Sequence, residues 1–166
     1  MERDQGGIAL IMKYSITRIV LGILIILFAS YVVWWMMSGV NGLLADMVFN
    51  ESGELVNNVT PENETLFNIA RYASISLPVL GLFISIGSIW MKQDDKKAAL
   101  THIISGGLVL IISIFILIWG YALDFVHLIL GGLVIDMGQA RVLTALTAIL
   151  GLAVSGLSVV QLVKAK

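Results

Sequence analysis

Four stretches of this chain run for 20 residues or more without an Asp, Glu, Lys or Arg. They cover residues 19–45 (27 residues), 72–91 (20), 98–123 (26) and 142–163 (22). At about 1.5 Å rise per residue, roughly 20 residues of helix cross a hydrocarbon core of about 30 Å. A helix also pairs every backbone N–H and C=O within the chain, which a segment in lipid requires. The gaps therefore predict an all-α fold, a polytopic membrane four-helix bundle. It is a single transmembrane domain over 1–166, with helices near 16–38, 71–91, 100–123 and 142–163. Helices of a soluble bundle keep a polar face, and these have none. Composition agrees: 58% of residues are hydrophobic and 13% charged, against about 45–50% and about 25% in soluble domains.

Lys and Arg in the short connections set the expected orientation. One side of the four-span arrangement carries Arg3, Lys13, Arg18, Lys92, Lys96, Lys97, Lys164 and Lys166, and the other only Arg71 and Arg141. The basic side, with both termini and the turn at 92–99, is expected to be cytoplasmic. The opposite side holds Asp46, Glu51, Glu54, Glu62, Glu64, Asp124 and Asp136, most of them in an acidic extracytoplasmic loop at 48–70. The apolar run after Arg18 is longer than a signal-peptide core and reads as an uncleaved signal anchor. Tyr31, Trp34, Trp35, Trp119 and Tyr121 at the outer helix ends, with Trp90 at an inner one, fit an interfacial aromatic belt.

The two halves of the chain echo each other. Ala70-Arg71 and Ala140-Arg141 open the second and fourth helices, and Leu80-Gly81-Leu82 recurs as Leu150-Gly151-Leu152. Ser85 then matches Ser155, and Ser88 matches Ser158, all 70 residues apart. Asn41–Met47 resembles Gly131–Met137 at a spacing of 90, and Gly22–Trp34 aligns with Gly107–Trp119. This pattern predicts a tandem repeat of two parallel-oriented helical hairpins, related by an axis along the membrane normal. Gly81, Ser85 and Ser88 form one stripe, and Gly151, Ser155 and Ser158 another, because steps of three and four residues return to one helix face. Small residues let helix backbones approach closely in lipid. The stripes are therefore expected to join helices 2 and 4 to each other or to a partner subunit. Pro78 should kink helix 2, where helix 4 has Ala148.

In the acidic loop, Asn50, Asn58 and Asn63 each open an Asn-x-Ser/Thr triplet, the acceptor pattern for N-glycosylation. Pro61 after Thr60 makes Asn58 the poorest of the three. Phe125–Ile135 is apolar apart from His127 and too short to span, so it is expected to lie in the interface or to dip in and return. An Asp precedes an Arg in each half, Asp46 before Arg71 and Asp136 before Arg141. Ion pairs pinning each outer segment to the next helix are the expected use, with solvated independent charges or a paired functional site as the alternatives.

The chain offers little chemistry. It has no cysteine, which excludes disulfides, thiolate metal sites and a thiol nucleophile, and with them the disulfides of claudin-like or tetraspanin-like four-helix proteins. No carboxylate lies mid-span to serve a proteolipid rotor. Asp124 and His127 share one helical face, a weak two-ligand candidate for a metal or a proton; no metal or other cofactor is otherwise expected. His102 is expected at the interface beside the basic turn, and Met36-Met37 in packing. Thr17-Arg18-Ile19-Val20-Leu21-Gly22 opening the first helix, with Gly81-Leu82-Phe83-Ile84-Ser85-Ile86-Gly87 before a basic turn, resembles the four-helix DoxX/DoxD membrane proteins. The resemblance implies quinone-linked sulfur oxidation, and a membrane subunit of a quinone-linked redox complex, binding quinone near Asp124 and His127, is kept as a further alternative. That family's polar residues in the second helix have no counterpart here.

The reading that follows is a non-catalytic accessory or structural subunit of a larger membrane complex. Its partners would be the lipid bilayer and other membrane subunits, not nucleic acid. A small channel or transporter with its path between the hairpins is the alternative. Its lining would come from Ser74, Ser76, Ser85, Ser88, Thr144, Thr147, Ser155 and Ser158.

Overall fold

The computed structural model describes residues 2–37, 48–49, 55–56, 61–90, 96–120 and 133–164, with side chains described over 15–37, 65–66, 68–90, 96–119 and 138–163. The helices are α1 (Glu2–Met37), α2 (Pro61–Ser74), α3 (Ser76–Trp90), α4 (Lys96–Phe115) and α5 (Leu133–Lys164). A π-helical turn, Ile116–Gly120, prolongs α4. Strands β1 (Val48–Phe49) and β2 (Leu55–Val56) pair antiparallel, Val48 opposite Val56 and Phe49 opposite Leu55. Four spans are long and apolar enough to cross a bilayer: Ser15–Met37, Asn68–Trp90, Lys96–Trp119 and Gly138–Val163. The protein is an all-α, multi-pass membrane four-helix bundle.

The helices run past the charge-free gaps. α1 starts at Glu2 rather than near residue 16, and its 36 residues measure about 54 Å, well beyond a hydrocarbon core. α5 starts at Leu133 rather than 142, so the last residues of the expected interfacial segment are helical. α2 starts at Pro61, inside the segment expected as loop. Proline is favoured at the first helical position, where no N–H is needed. Charges end a hydrocarbon span, but they do not end a helix.

The second span is broken at Ile75, between α2 and α3. Pro78 is the cause. It has no N–H for the carbonyl of Ser74, four residues back, and its ring crowds that carbonyl. Side chains serve the carbonyls at the break: Ser74 Oγ donates to Arg71 O at 2.6 Å and Ser76 Oγ to Ala73 O at 2.6 Å. The Ile75 N–H turns back to Tyr72 O at 3.2 Å. α5, with Ala148 at the matching position, is unbroken.

Each helix packs on its two neighbours in a ring. α1 lies against α3 and α5, and α4 against α5 and α3. The tightest approaches are two glycine crossings. A Cβ on Gly22 would collide with Ser85 Oγ and stand 2.8 Å from Gly81 O, so α1 and α3 meet there backbone to backbone. A Cβ on Gly106 would stand 2.6 Å from Gly151 O and 2.6 Å from Ser155 Oγ, the same encounter between α4 and α5. The small-residue stripes thus act within each hairpin. They do not join helices 2 and 4, and α3 and α5 are not among the closely packed pairs. The glycine that meets α5 is Gly106, not the Gly107 aligned with Gly22 in the sequence, and nothing lies within 4 Å of a Cβ at Gly107.

The bundle is apolar outside and part polar within. Leu27, Phe83, Ile104 and Ile149 face outward, while Ser74, Ser88, Ser113, Thr144, Thr147 and Ser158 are buried. Trp90 and Trp34 are exposed, as an interfacial belt requires. Trp35 is only 4% exposed and belongs to the core with Ile25, Val32 and Met36, and Trp119 packs against that core.

Candidate functional site

Ser15, Trp90, Lys96 and Val163 mark one end of the bundle, here the near end. Met37, Asn68, Trp119 and Gly138 mark the far end. Between the near end and the glycine crossings the interior holds two basic side chains. Arg18 on α1 and His102 on α4 are each only 2% exposed. His102 was expected at the interface, and Arg18 among the basic residues of the cytoplasmic side. They are inside because each shares a helix stripe with a crossing glycine: Arg18 lies four residues before Gly22, and His102 four before Gly106. A crossing that brings the glycines together carries their neighbours on the stripe inward.

The contacts around His102 span three helices. Its Nδ1 is 2.6 Å from Ala98 O, one turn back on α4, and its Nε2 is 3.0 Å from Ser88 Oγ and 3.3 Å from Ile84 O on α3. Ser88 Oγ also stands 2.7 Å from Ile84 O, and Ser88 O accepts from Ser15 Oγ of α1 at 2.7 Å. Arg18 is near enough for its charge to act on the imidazole. On α5 the hydroxyl of Ser158 is also buried and donates to Val154 O at 2.8 Å. One layer above, the crossing serines reach across their hairpins, Ser85 Oγ to Ile19 O at 3.5 Å and Ser155 Oγ to Ile103 O at 3.1 Å.

The hydroxyls expected to line a path are therefore mostly interior. Ser74, Ser85, Ser88, Thr144, Thr147 and Ser158 are buried, while Ser76 and Ser155 are partly exposed. Thr144 and Thr147 donate to carbonyls of their own helix, Ala140 O at 2.8 Å and Leu143 O at 2.7 Å. Such bonds let a hydroxyl sit in a low-dielectric interior without an unmet donor.

At the far end, Arg71 joins the end of the first helix. Its Nε donates to Met37 Sδ at 3.3 Å and its Nη2 to Met37 O at 3.4 Å, placing a cation on the final carbonyls of α1. Tyr31 Oη donates to Gln139 Oε1 at 3.2 Å, tying α1 to α5. A hollow of about 490 Å³ lies beside Gly138, Gln139, Val142 and Leu143. Asp46, the expected partner of Arg71, lies outside the described residues, as do Asp124, His127, Asn50 and Asn58. Asp136 and Asn63 fall in α5 and α2, but their side chains are outside the description. No group of three His, Asp or Glu side chains gathers among the described residues.

No protein family matches the chain, and no curated protein or solved structure matches it either. The resemblance to DoxX/DoxD proteins therefore rests on the two segments quoted for it. What the fold defines is a class, the small multi-pass membrane proteins. Its buried polar cluster is the one feature among the described residues that goes beyond helix packing.

Proposed function

We propose that the chain is a small channel or transporter whose path follows the polar seam between two hairpin repeats. The observation that carries this reading is the pair of basic side chains, Arg18 and His102, buried among hydroxyls inside four apolar helices. Ionisable groups in a bilayer interior are costly and mark ion and proton pathways more often than packing. The repeat supports the same reading. Adding 84 to Arg18, Gly22, Ile25 and Val32 leads to His102, Gly106, Val109 and Ile116, all of them buried. Adding 70 to Ser74, Leu77, Gly81, Ile84 and Ser88 leads to Thr144, Thr147, Gly151, Val154 and Ser158, again all buried. In such a repeat Arg18 and His102 take equivalent positions, related by an axis along the membrane normal.

An accessory-subunit role is the second reading, drawing on the chain's small soluble mass and its broad apolar exterior. Two of its motives have weakened, since the small-residue stripes are occupied within the chain and the interior does carry charge. Mild detergent extraction from the host membrane followed by native mass spectrometry separates the readings. A carrier travels alone or with copies of itself, whereas an accessory subunit brings a different polypeptide in fixed ratio.

The distribution of Lys and Arg supports cytoplasmic termini. The near end, with Arg18 and His102, then faces the cytoplasm, and Asn50, Asn58 and Asn63 lie on the opposite side.

A further inference from the structure

We infer that His102 is a proton-binding site, with the Ser88 hydroxyl as the rotor that lets the ring hold or release its proton inside the bundle. The inference rests on the transport reading and names the species handled at the near end. A carbonyl oxygen only accepts, so at 2.6 Å from Ala98 O the Nδ1 atom must carry hydrogen. The second ring nitrogen has two neighbours that permit either state. When Nε2 is bare, the Ser88 hydroxyl at 3.0 Å donates to it. When Nε2 carries a proton, it donates to Ser88 Oγ, with Ile84 O at 3.3 Å as a second acceptor, and the hydroxyl turns to donate to Ile84 O at 2.7 Å. One rotation about the serine C–O bond thus accommodates both forms with every polar atom bonded. The proton arrives from water and returns to it, so the step needs no electron and no co-reactant.

α1 presents Arg18, a guanidinium within electrostatic reach of the ring. α3 presents Ser88 and the Ile84 carbonyl, and α4 itself carries Lys96 and Lys97, both exposed. α5 has no titratable side chain from residue 142 to 163. His102 is the seventh residue of α4, about 9 Å along the helix from its near end.

The test is ¹⁵N NMR of the full chain, labelled at histidine and held in lipid nanodiscs. The chain has two histidines, so spectra of H102Q and H127Q each assign the other ring. The expected neutral form of His102 carries its proton on Nδ1, opposite to the preference of free imidazole side chains in water. The ring should convert reversibly to the doubly protonated form as the pH is lowered. S88A removes the rotor and should displace the midpoint by about one unit, a tenfold change in proton affinity. A ring that stays in one state over the whole pH range in which the chain keeps its fold overturns the proposal, as does a neutral form protonated at Nε2. A midpoint unmoved in S88A removes the rotor. The titration involves no flux: a titrating ring in a chain that conducts nothing sinks the transport reading alone, and flux with a silent ring sinks this proposal alone.

Discussion

Two adjacent glycines show how narrowly position decides the effect of one methyl group. A Cβ at Gly106 would meet the Gly151 carbonyl at 2.6 Å, and backbone cannot move aside cheaply, whereas at Gly107 it would meet nothing within 4 Å. Gly106→Ala should therefore destabilise the bundle by about 1–3 kcal/mol, the usual cost of overpacking. Gly107→Ala should be neutral, or stabilising by up to about 1 kcal/mol, because alanine is the better helix former. Thermal unfolding followed by tryptophan fluorescence in one detergent reads both; equal midpoints for the two variants contradict the crossing. The sequence alone did not separate these glycines, since both lie in an apolar helix and only the register against α5 tells them apart. Arg18 and His102 were hidden for a related reason. Each stands within two turns of the edge of a charge-free gap, where a basic residue ordinarily reaches for water. Their shared spacing of four residues from a crossing glycine was the available signal.

At the scale of elements, the number and place of the spans were legible, because hydrocarbon excludes charge over a fixed thickness. Helix ends were not, because a helix continues into water wherever its sequence allows. Thr60-Pro61-Glu62 was a readable start for α2, with a capping residue type, a proline at the first helical position and an acid in the first turn. The kink at Pro78 was foreseen, and it takes the form of a break three residues earlier, at Ile75. Pro78→Ala should restore the N–H that Ser74 O lacks and join α2 to α3. The expected sign is helical ¹³Cα shifts at Ile75, with the amide of residue 78 protected from exchange. Non-helical shifts persisting at Ile75 would assign the break to packing against neighbouring helices instead.

For the whole molecule, the absence of cysteine makes topology directly measurable. Single cysteines at Asp94 and Lys166 should react with an impermeant maleimide only from the cytoplasmic side, and one at Glu54 only from the other. Labelling of all three from one side would contradict four spans. The seam itself needs a variant that leaves packing alone. Ser85 and Ser155 are unsuited, because their side chains fill the glycine crossings and valine there would part the helices. Thr144 and Thr147 are buried, and valine matches threonine in shape. The most direct test of the central claim is flux through the purified chain in liposomes, with a pH-sensitive dye for protons and radiolabelled rubidium and chloride as ion probes. The account predicts a rate above protein-free vesicles for at least one probe, falling toward the protein-free rate in the T144V/T147V double variant. Rates equal to protein-free vesicles for all three probes, or equal in the wild type and the double variant, would contradict it.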